Sequence, residues 1–266
     1  MLFARDFSGD ENVDIPSKRG SGGDDWRMKL TKIIKISAVF IVMSVFACML
    51  TLYRMRIIEG TNYIFLIWNL FLAWIPFVFS CILALCDRIK NFPLKFCMMA
   101  IIGLLWLIFY PNAPYILTDY AHFSWVGFFK GQAADFDFKP WYDFVLFSAY
   151  IITGFILGMA SLRINQGIIR KHSNGIVSGI FVVIVQFLSS IAIYWGRFMR
   201  MNSWDAWRNP LLLVEGLKFN EDSWIFVLIL TVFLSLVYFA FNIWCLDDNA
   251  DDDRLLRLNN KRNQDL

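Results

Sequence analysis

Charged side chains are scarce in this chain of 266 residues. Lys, Arg, Asp and Glu make up 18% of it, against about 25% in soluble domains, while hydrophobic residues reach 58%. This composition excludes an ordinary soluble domain and predicts a membrane protein. The net charge of +3 is small, and the basic residues lie between apolar segments rather than on one face. A nucleic-acid partner is therefore not expected.

Several motifs of membrane and soluble enzymes are also missing. The chain has no HExxH zinc pair, no GxSxG elbow and no GxxxxGK[ST] phosphate loop. Its two histidines, His122 and His172, do not form a pair of axial ligands within a membrane, so no redox cofactor is indicated. The five cysteines lack CxxC or Cys/His metal spacing and are predicted to be buried thiols. The sequence leaves the identity of any cofactor or metal unknown.

What the chain does contain is long apolar segments, and six of them reach the roughly 20 residues that a spanning helix needs. The third qualifies only if it continues through a proline break at Pro111–Pro114. In the fourth, Gly154 and Gly158 have the spacing of a close helix contact. The predicted fold is an all-α, polytopic transmembrane helix bundle. Its spans are Ile33–Tyr53, Asn62–Cys86, Leu94–Leu117, Trp141–Leu162, Gly175–Trp195 and Ser223–Leu246.

The distribution of Lys and Arg predicts the orientation of these spans. Sixteen basic residues fall in the two tails and in the loops after the second and fourth spans, against eight in the other loops. Because cytoplasmic segments are enriched in Lys and Arg, both termini are predicted to be cytoplasmic. Residues 1–28, which lack the features of a signal peptide, are predicted to form a disordered cytoplasmic tail. Residues 29–246 form the membrane domain, and residues 247–266 form a charged cytoplasmic tail.

The break in the third span carries the most distinctive string, Tyr-Pro-Asn-Ala-Pro-Tyr. The seventeen residues that precede Pro111 in this span cover about 25 Å, slightly less than a hydrocarbon core. Because Pro111 and Pro114 each remove a backbone donor, the helix should kink or stop there, against protein or a water-filled cavity. Asn112 is predicted to cap a second short helix that ends near Phe123.

Ionisable residues follow this break on the predicted extracytoplasmic side. Asp119 and His122 are three apart on one helix face, so they could orient an imidazole, hold a metal or form half of an acid–base site. Alternatively, they lie in interfacial water and hydrogen-bond locally. Asp143, at the start of the fourth span, either stabilises the positive end of its helix or faces the break as a further candidate catalytic group.

A second group of polar residues lies near the fifth span. Arg197 and Arg200 could bind a phosphate or carboxylate, or could be interfacial anchors or partners of the nearby aspartates. Asp205 follows them and could supply a further carboxylate. Within the second and fifth spans, Asn69 and Gln186 are candidates for interhelical hydrogen bonds or for the lining of an outward-facing cavity. The candidate ligand-binding residues are Asn112, Arg197, Arg200, Asp205 and Asn69.

Several strings of the chain resemble a family of bacterial multi-pass inner-membrane proteins that is catalogued as a domain of unknown function. The resemblance covers roughly residues 62–245. It implies a protein of the bacterial plasma membrane and does not imply any chemistry. The strings are Trp68 to Pro76, Phe109 to Tyr115 continuing to Asp119 and His122, Trp141-Tyr142-Asp143 with Gly154, and Gly196 to Asp205.

Three functions are consistent with these residues. The first is binding of a ligand or membrane partner at a polar extracytoplasmic site. The second is an enzyme for an anionic lipid-linked or cell-envelope substrate, with phosphate on Arg197 and Arg200 and with His122, oriented by Asp119, as acid or base. The third is a small-solute transporter that binds its cargo at the broken span, which would need a polar path past Gln186.

Overall fold

The structure is a computed structural model that describes residues 21–57, 63–125, 138–200 and 220–264. Every element within those ranges is a helix. The longest of them are the last, with 44 residues, and the first, with 37. In chain order the elements are α1 (Ser21–Ile57), α2 (Ile64–Cys86), α3 (Phe92–Phe109), α4 (Asn112–Tyr115), a 3₁₀ helix (Ile116–Trp125), α5 (Phe138–His172), α6 (Gly175–Phe198) and α7 (Glu221–Gln264).

The prediction of six spans is confirmed. In the described part of the chain, six helical segments are long and apolar enough to cross a membrane. Their bounds agree with the predicted ones within a few residues except in the fourth, where α5 continues past Leu162 as far as His172. The spans are Ile33–Arg56, Ile64–Cys86, Phe92–His122, Phe138–His172, Gly175–Phe198 and Glu221–Ile243.

The chain divides into two units, Met1–Val42 and Met43–Leu266. The described part of the first unit is the N-terminal portion of α1. The second unit contains the remainder of α1 and all the later helices. Every residue discussed below belongs to this second unit.

Helix α5 is the most buried of the six spans and packs against α2, α4, α6 and the 3₁₀ helix. Two of its glycines allow a close approach of the third span. A Cβ added at Gly154 would lie 2.8 Å from Ile116 Cδ1, and one added at Gly158 would lie 2.8 Å from Ala113 Cβ. The predicted close contact at these glycines is therefore confirmed, and its partner is the segment that follows the proline break.

The break itself is also confirmed. Helix α3 ends at Phe109, and the chain continues through Pro111 into α4 and the 3₁₀ helix. The N–H of Ala113 donates to the Tyr110 carbonyl at 3.1 Å, one residue short of the α-helical pattern. Ala113 and Pro114 are buried, so this irregular backbone lies against protein, as membrane depth requires.

A buried hydrogen-bond network joins α2, α3 and α5 in the middle of the second unit. The Ser80 and Ser161 hydroxyls are 2.7 Å apart, and Trp106 Nε1 donates to Ser161 Oγ at 2.8 Å. Asn165 Nδ2 donates to Ser80 Oγ at 2.8 Å, and Ser161 Oγ donates to the Pro76 carbonyl at 3.0 Å. The sequence pattern indicates only Asn69 and Gln186 as such groups, so this network is not predicted from it.

Candidate functional site

A cavity of about 540 Å³ opens beside the N-terminal end of α2. Its walls come from α2, from the α4 and 3₁₀ segment after the proline break, and from the C-terminal end of α6. Five of the predicted site residues meet here although they come from three distant segments: Asn69, Asp119, His122, Arg197 and Arg200. The lining includes Phe65, Asn69, Asp119, His122, Arg197 and Arg200.

Asp119 is the buried carboxylate of the cavity, with no exposed surface. Its Oδ2 atom accepts a hydrogen bond from Asn69 Nδ2 at 2.8 Å, which ties the 3₁₀ helix to α2. The other oxygen, Oδ1, is buried and accepts no hydrogen bond from the described residues. It lies 3.8 Å from His122 Nε2, beyond hydrogen-bond distance. Since an unsatisfied buried acceptor is costly, a small movement of the imidazole toward Asp119 would be stabilising.

The His122 ring is positioned by an aromatic contact as well as by Asp119. It meets the Phe65 ring edge to face, with centroids 5.0 Å apart and planes at 72°. Its side chain is 18% exposed, so it is accessible from the cavity but shielded from bulk water. Arg197 lies close enough to act electrostatically on both Asp119 and His122. The arrangement therefore places a titratable imidazole in one cavity with a carboxylate and a guanidinium.

Arg197 lies in the last turn of α6, and Arg200 follows the end of this helix. Arg200 adopts a φ of 56°, in the left-handed region that favours glycine. Within the described ranges, neither arginine forms an ion pair or hydrogen bond with another residue. The prediction that they are partners of the nearby aspartates is wrong for Asp143, which pairs with Arg54 instead.

Asn112 has a role other than the predicted cap. Pro111 is the N-cap of α4, and Asn112 is the first residue of this helix. No side chain makes a capping hydrogen bond there. Asn112 Nδ2 donates to the Phe109 carbonyl at 2.8 Å. In a continuous α-helix that carbonyl would accept from the Ala113 N–H, but this N–H donates to the Tyr110 carbonyl instead. The side-chain amide of Asn112 therefore replaces the backbone donor that the Phe109 carbonyl loses at the break. Asn112 is not among the lining residues of the cavity.

Asp143 lies in a separate ion pair at the same end of the bundle. Its carboxylate accepts from Arg54 Nε at 2.6 Å and Arg54 Nη2 at 2.9 Å, and from the Tyr63 hydroxyl at 3.1 Å. Both charged side chains are buried. The prediction that Asp143 lies at the start of its helix is wrong, because α5 begins at Phe138 and no acidic residue lies in its first turn. Arg54 lies just outside the predicted first span, which ends at Tyr53, so this pair is not predicted from the sequence.

The remaining predicted polar residues are distributed as follows. Asp205 lies outside the described residues. Gln186 is fully buried, and its amide lies near the Tyr110 hydroxyl without a hydrogen bond of normal geometry in the described part of the chain. Among the described residues, no group of three His, Cys, Asp or Glu side chains could hold a metal ion.

A second charged cluster lies at the other end of α2. Asp87 accepts from Lys95 Nζ at 2.6 Å, from Lys171 Nζ at 2.6 Å, and lies 2.7 Å from His172 Nε2. Burial by itself raises the pKa of the Asp87 carboxyl, but the bonds to Lys171, Lys95 and His172 together lower this pKa well below its usual range. The cluster joins the end of α2 to α3 and to the end of α5.

The six apolar spans define the class as a multi-pass integral membrane protein. Within that class, the chain belongs to the family described as "Protein of unknown function (DUF1361)", which it matches over residues 68–237, well over half of its length. The matched stretch contains Asn69, Asp119, His122 and Arg197, and the resemblance to a family of unknown function is confirmed. No match was found among curated proteins or among solved structures.

Proposed function

We propose that this protein binds a small ligand in the cavity between α2, the 3₁₀ helix and α6. The observation that carries the proposal is the convergence of polar side chains from three distant segments on one space. Asn69 and Asp119 are hydrogen-bonded to each other, His122 contacts Phe65, and Arg197 lines the same cavity. Ligand sites in membrane proteins combine such convergent polar groups with an apolar frame.

We further propose that the cavity opens on the extracytoplasmic face of a bacterial plasma membrane. The excess of Lys and Arg in the tails and in the loops after the second and fourth spans supports this orientation. The cavity lies at the end of α2 away from Asp87, which is the end those loops do not occupy. A ligand of the cell envelope would reach the site from outside without crossing the membrane.

The direct test is to identify what the protein retains. The wild type, Arg197→Gln and Asn69→Leu would be purified in discs of native membrane, and their bound lipids and metabolites would be quantified by mass spectrometry. We expect one compound to be enriched in the wild type and depleted in both cavity variants. The matched control is Arg170→Gln, which removes an exposed arginine at the other end of α5 and should retain the compound.

The outcome that would overturn ligand binding is a set of equal profiles for all four proteins. Depletion in Arg170→Gln to the same degree as in Arg197→Gln would also overturn it, since the effect would then reflect surface charge. The yield and elution volume of each variant would be compared first, so that only folded proteins enter the comparison.

An enzyme that uses acid–base chemistry is the second candidate, and the Asp119–His122 pair favours it. A carboxylate that backs a partly exposed imidazole is the arrangement by which many general bases are oriented. The 3.8 Å separation is long for such a pair, although pairs of this kind tighten when substrate binds. Asp143 is not needed for this chemistry, because Arg54 and Tyr63 already occupy its carboxylate.

Profiling a deletion strain tests the enzyme candidate. Complementation with His122→Gln should leave an envelope precursor accumulated if His122 transfers a proton, whereas complementation with wild type should clear it. Equal clearance by both would reject the enzyme candidate and leave ligand binding intact. Transport, the third candidate, would need a polar path past Gln186, and Gln186 is not among the described residues that line the cavity.

A further inference from the structure

We propose that the ligand of this cavity carries a phosphate group, which Arg197 and Arg200 bind together with His122. This inference rests on the proposed function and adds the chemical class of the ligand. Among the described residues, the lining of the cavity contains two guanidinium groups and one carboxylate, Asp119, and so carries an excess of positive charge. No residue in the described ranges forms an ion pair or hydrogen bond with either guanidinium, so none of them competes with an anion for these two groups.

A phosphate fits two arginines better than a carboxylate does. Each guanidinium presents a planar fork of donors that bonds two oxygens at once. One such fork already occupies both oxygens of a carboxylate, whereas a phosphate has enough oxygens for two forks and a third donor. Arg197 and Arg200 are three residues apart on the same cavity wall, so both forks can reach one tetrahedral group.

His122 is the third donor, and Asp119 is its positioning residue. An anion in the cavity would favour the charged form of the imidazole, against the opposing effect of Arg197 and Arg200. A protonated His122 would donate one N–H to the phosphate and the other to Asp119 Oδ1, which accepts no hydrogen bond from the described residues and lies 3.8 Å away. Phosphate binding is therefore expected to take up a proton from solvent and to complete the Asp119 hydrogen bonds.

The backbone of Arg200 is a second, independent indication that its side chain is used. The residue just after a helix cap with positive φ is most often glycine, because side chains are strained there. Arg200 holds this conformation at φ 56°. Such strained residues occur mainly where the surrounding structure needs the side chain in place, as at ligand sites. Arg200→Gly therefore removes a ligand group while it relieves backbone strain, so that this variant should fold.

The test measures binding to the purified full chain by calorimetry. The probes are glycerol 3-phosphate, glycerate as its carboxylate counterpart, and glycerol as the neutral control. We expect glycerol 3-phosphate to bind and to bind more tightly than glycerate. Arg197→Gln and Arg200→Gly should each weaken its binding by about ten- to a hundredfold, since each loses charged hydrogen bonds. Titrations in two buffers of different ionisation enthalpy should show proton uptake by the wild type, and His122→Gln and Asp119→Asn should abolish or reduce it.

A lipid arm distinguishes a membrane phosphate from a soluble one. The protein would be reconstituted in phosphatidylcholine discs, with and without phosphatidic acid, whose headgroup is a bare phosphate. Retention of phosphatidic acid that depends on Arg197, with no binding of glycerol 3-phosphate, would assign the site to a lipid headgroup. Arg197-dependent binding of glycerol 3-phosphate in the absence of phosphatidic acid would assign it to a soluble phosphate. Either result supports the phosphate proposal.

Two results would overturn the phosphate proposal. One is binding of neither phosphate probe by the wild type, and the other is binding that Arg197→Gln and Arg200→Gly leave unchanged. Glycerate binding as tight as phosphate binding would also reject the class. These failures are separable from failure of the proposed function: a different compound that the wild type retains and Arg197→Gln loses would preserve the cavity as a ligand site while excluding phosphate.

Discussion

Arg54 and Asp143 show how a buried charge is tolerated at the scale of single residues. The guanidinium bonds both carboxylate oxygens and lies 5.5 Å from the centroid of the Tyr63 ring, whose hydroxyl gives Asp143 a third bond. Both oxygens of the Asp143 carboxylate therefore accept hydrogen bonds that stabilise the fold. Tyr63 and Phe65 are neighbouring rings, with centroids 6.3 Å apart, and Phe65 in turn contacts His122. The ion pair thus supports the residue that positions the cavity imidazole.

Removal of one partner of this pair should be strongly destabilising. We expect Arg54→Met or Asp143→Leu alone to cost about 3–5 kcal/mol, because each leaves an uncompensated buried charge. The double variant should recover most of this loss, since two apolar side chains can replace a buried ion pair at little cost. Unfolding of the purified protein by a denaturing detergent would measure the differences.

Tyr63→Phe is the control for that experiment. It removes the hydrogen bond from the Tyr63 hydroxyl to Asp143 but keeps the ion pair, for an expected loss of about 1 kcal/mol. If Asp143→Leu costs no more than Tyr63→Phe, the pair is not the buried, desolvated contact described above.

At the scale of elements, the break in the third span is fixed by its contact with α5. Gly158→Ala should destabilise the protein by about 1–3 kcal/mol, because the new methyl would meet the Cβ of Ala113, which is attached directly to the backbone and cannot rotate away. The same substitution should weaken ligand retention, since it displaces the segment that leads to Asp119 and His122. Detergent unfolding and the retained-ligand assay would measure the two effects.

Gly167→Ala is the matched control on the same helix. A Cβ there would meet nothing within 4 Å, so the substitution should be neutral or should stabilise α5 by up to about 1 kcal/mol. Equal effects at Gly158 and Gly167 would contradict the close contact with Ala113.

The Asp87 cluster predicts a pH dependence of stability at the other end of α2. Because its bonds to Lys171, Lys95 and His172 hold the pKa of Asp87 well below its usual range, its contribution is fully present above the ordinary aspartate pKa of about 3.9. The contribution is lost as the pH falls through the lower value in the folded protein. We expect acid to destabilise the wild type more than Asp87→Asn in that range, as measured by thermal unfolding between neutral and strongly acidic pH.

Lys171→Gln provides a graded comparison for this prediction. With one cation fewer, the pKa of Asp87 should be lowered less. The acid-induced loss should therefore be smaller than in the wild type and should be complete at a higher pH. Parallel acid profiles for the wild type and Asp87→Asn would show that the cluster does not contribute to stability.

Several elements could be predicted from sequence because their cause is local. A run of apolar residues specifies a span, and two prolines specify a break, whatever the rest of the chain does. The contacts that failed prediction join residues far apart: Arg54 meets Asp143 across 89 positions, and Ser80 meets Ser161 across 81. A serine in an apolar helix and an arginine near a span end look the same in sequence whether or not a partner exists. The end of α5 was missed for a related reason, since Arg163 resembles the start of a loop.

Part of the candidate site could be predicted, because its polar residues fall at the ends of spans that face the same side of the membrane in the predicted topology. Counting basic residues placed Asp119, His122 and Arg197 on one face, and the structure brings these three to one cavity. The roles of Asn112 and Asp143 depend on which carbonyl or cation each meets in the folded protein. Such pairings are decided by tertiary packing and leave no mark in the local sequence.

At the scale of the whole molecule, the orientation remains a prediction with a direct test. Ser173 follows α5 and is exposed at the Asp87 end, and Tyr120 is exposed near the cavity. In a cysteine-free background, a membrane-impermeant maleimide should label Tyr120→Cys in intact cells, because that end should be outside. Ser173→Cys should react only after permeabilisation, and labelling of Ser173→Cys alone from outside would reverse the assignment.

The position of α5 has a consequence for synthesis of the protein. Arg54, Ser80 and Asp87 all find partners on this helix, and those partners follow them by 89, 81 and 84 residues. The first three spans must therefore leave the ribosome and enter the membrane before α5 exists. During that interval these side chains lack the partners that α5 provides in the finished protein. The fourth span is thus the step at which the first half of the protein can assemble, and a chain that stalls before it would present these groups to lipid and to quality-control proteases.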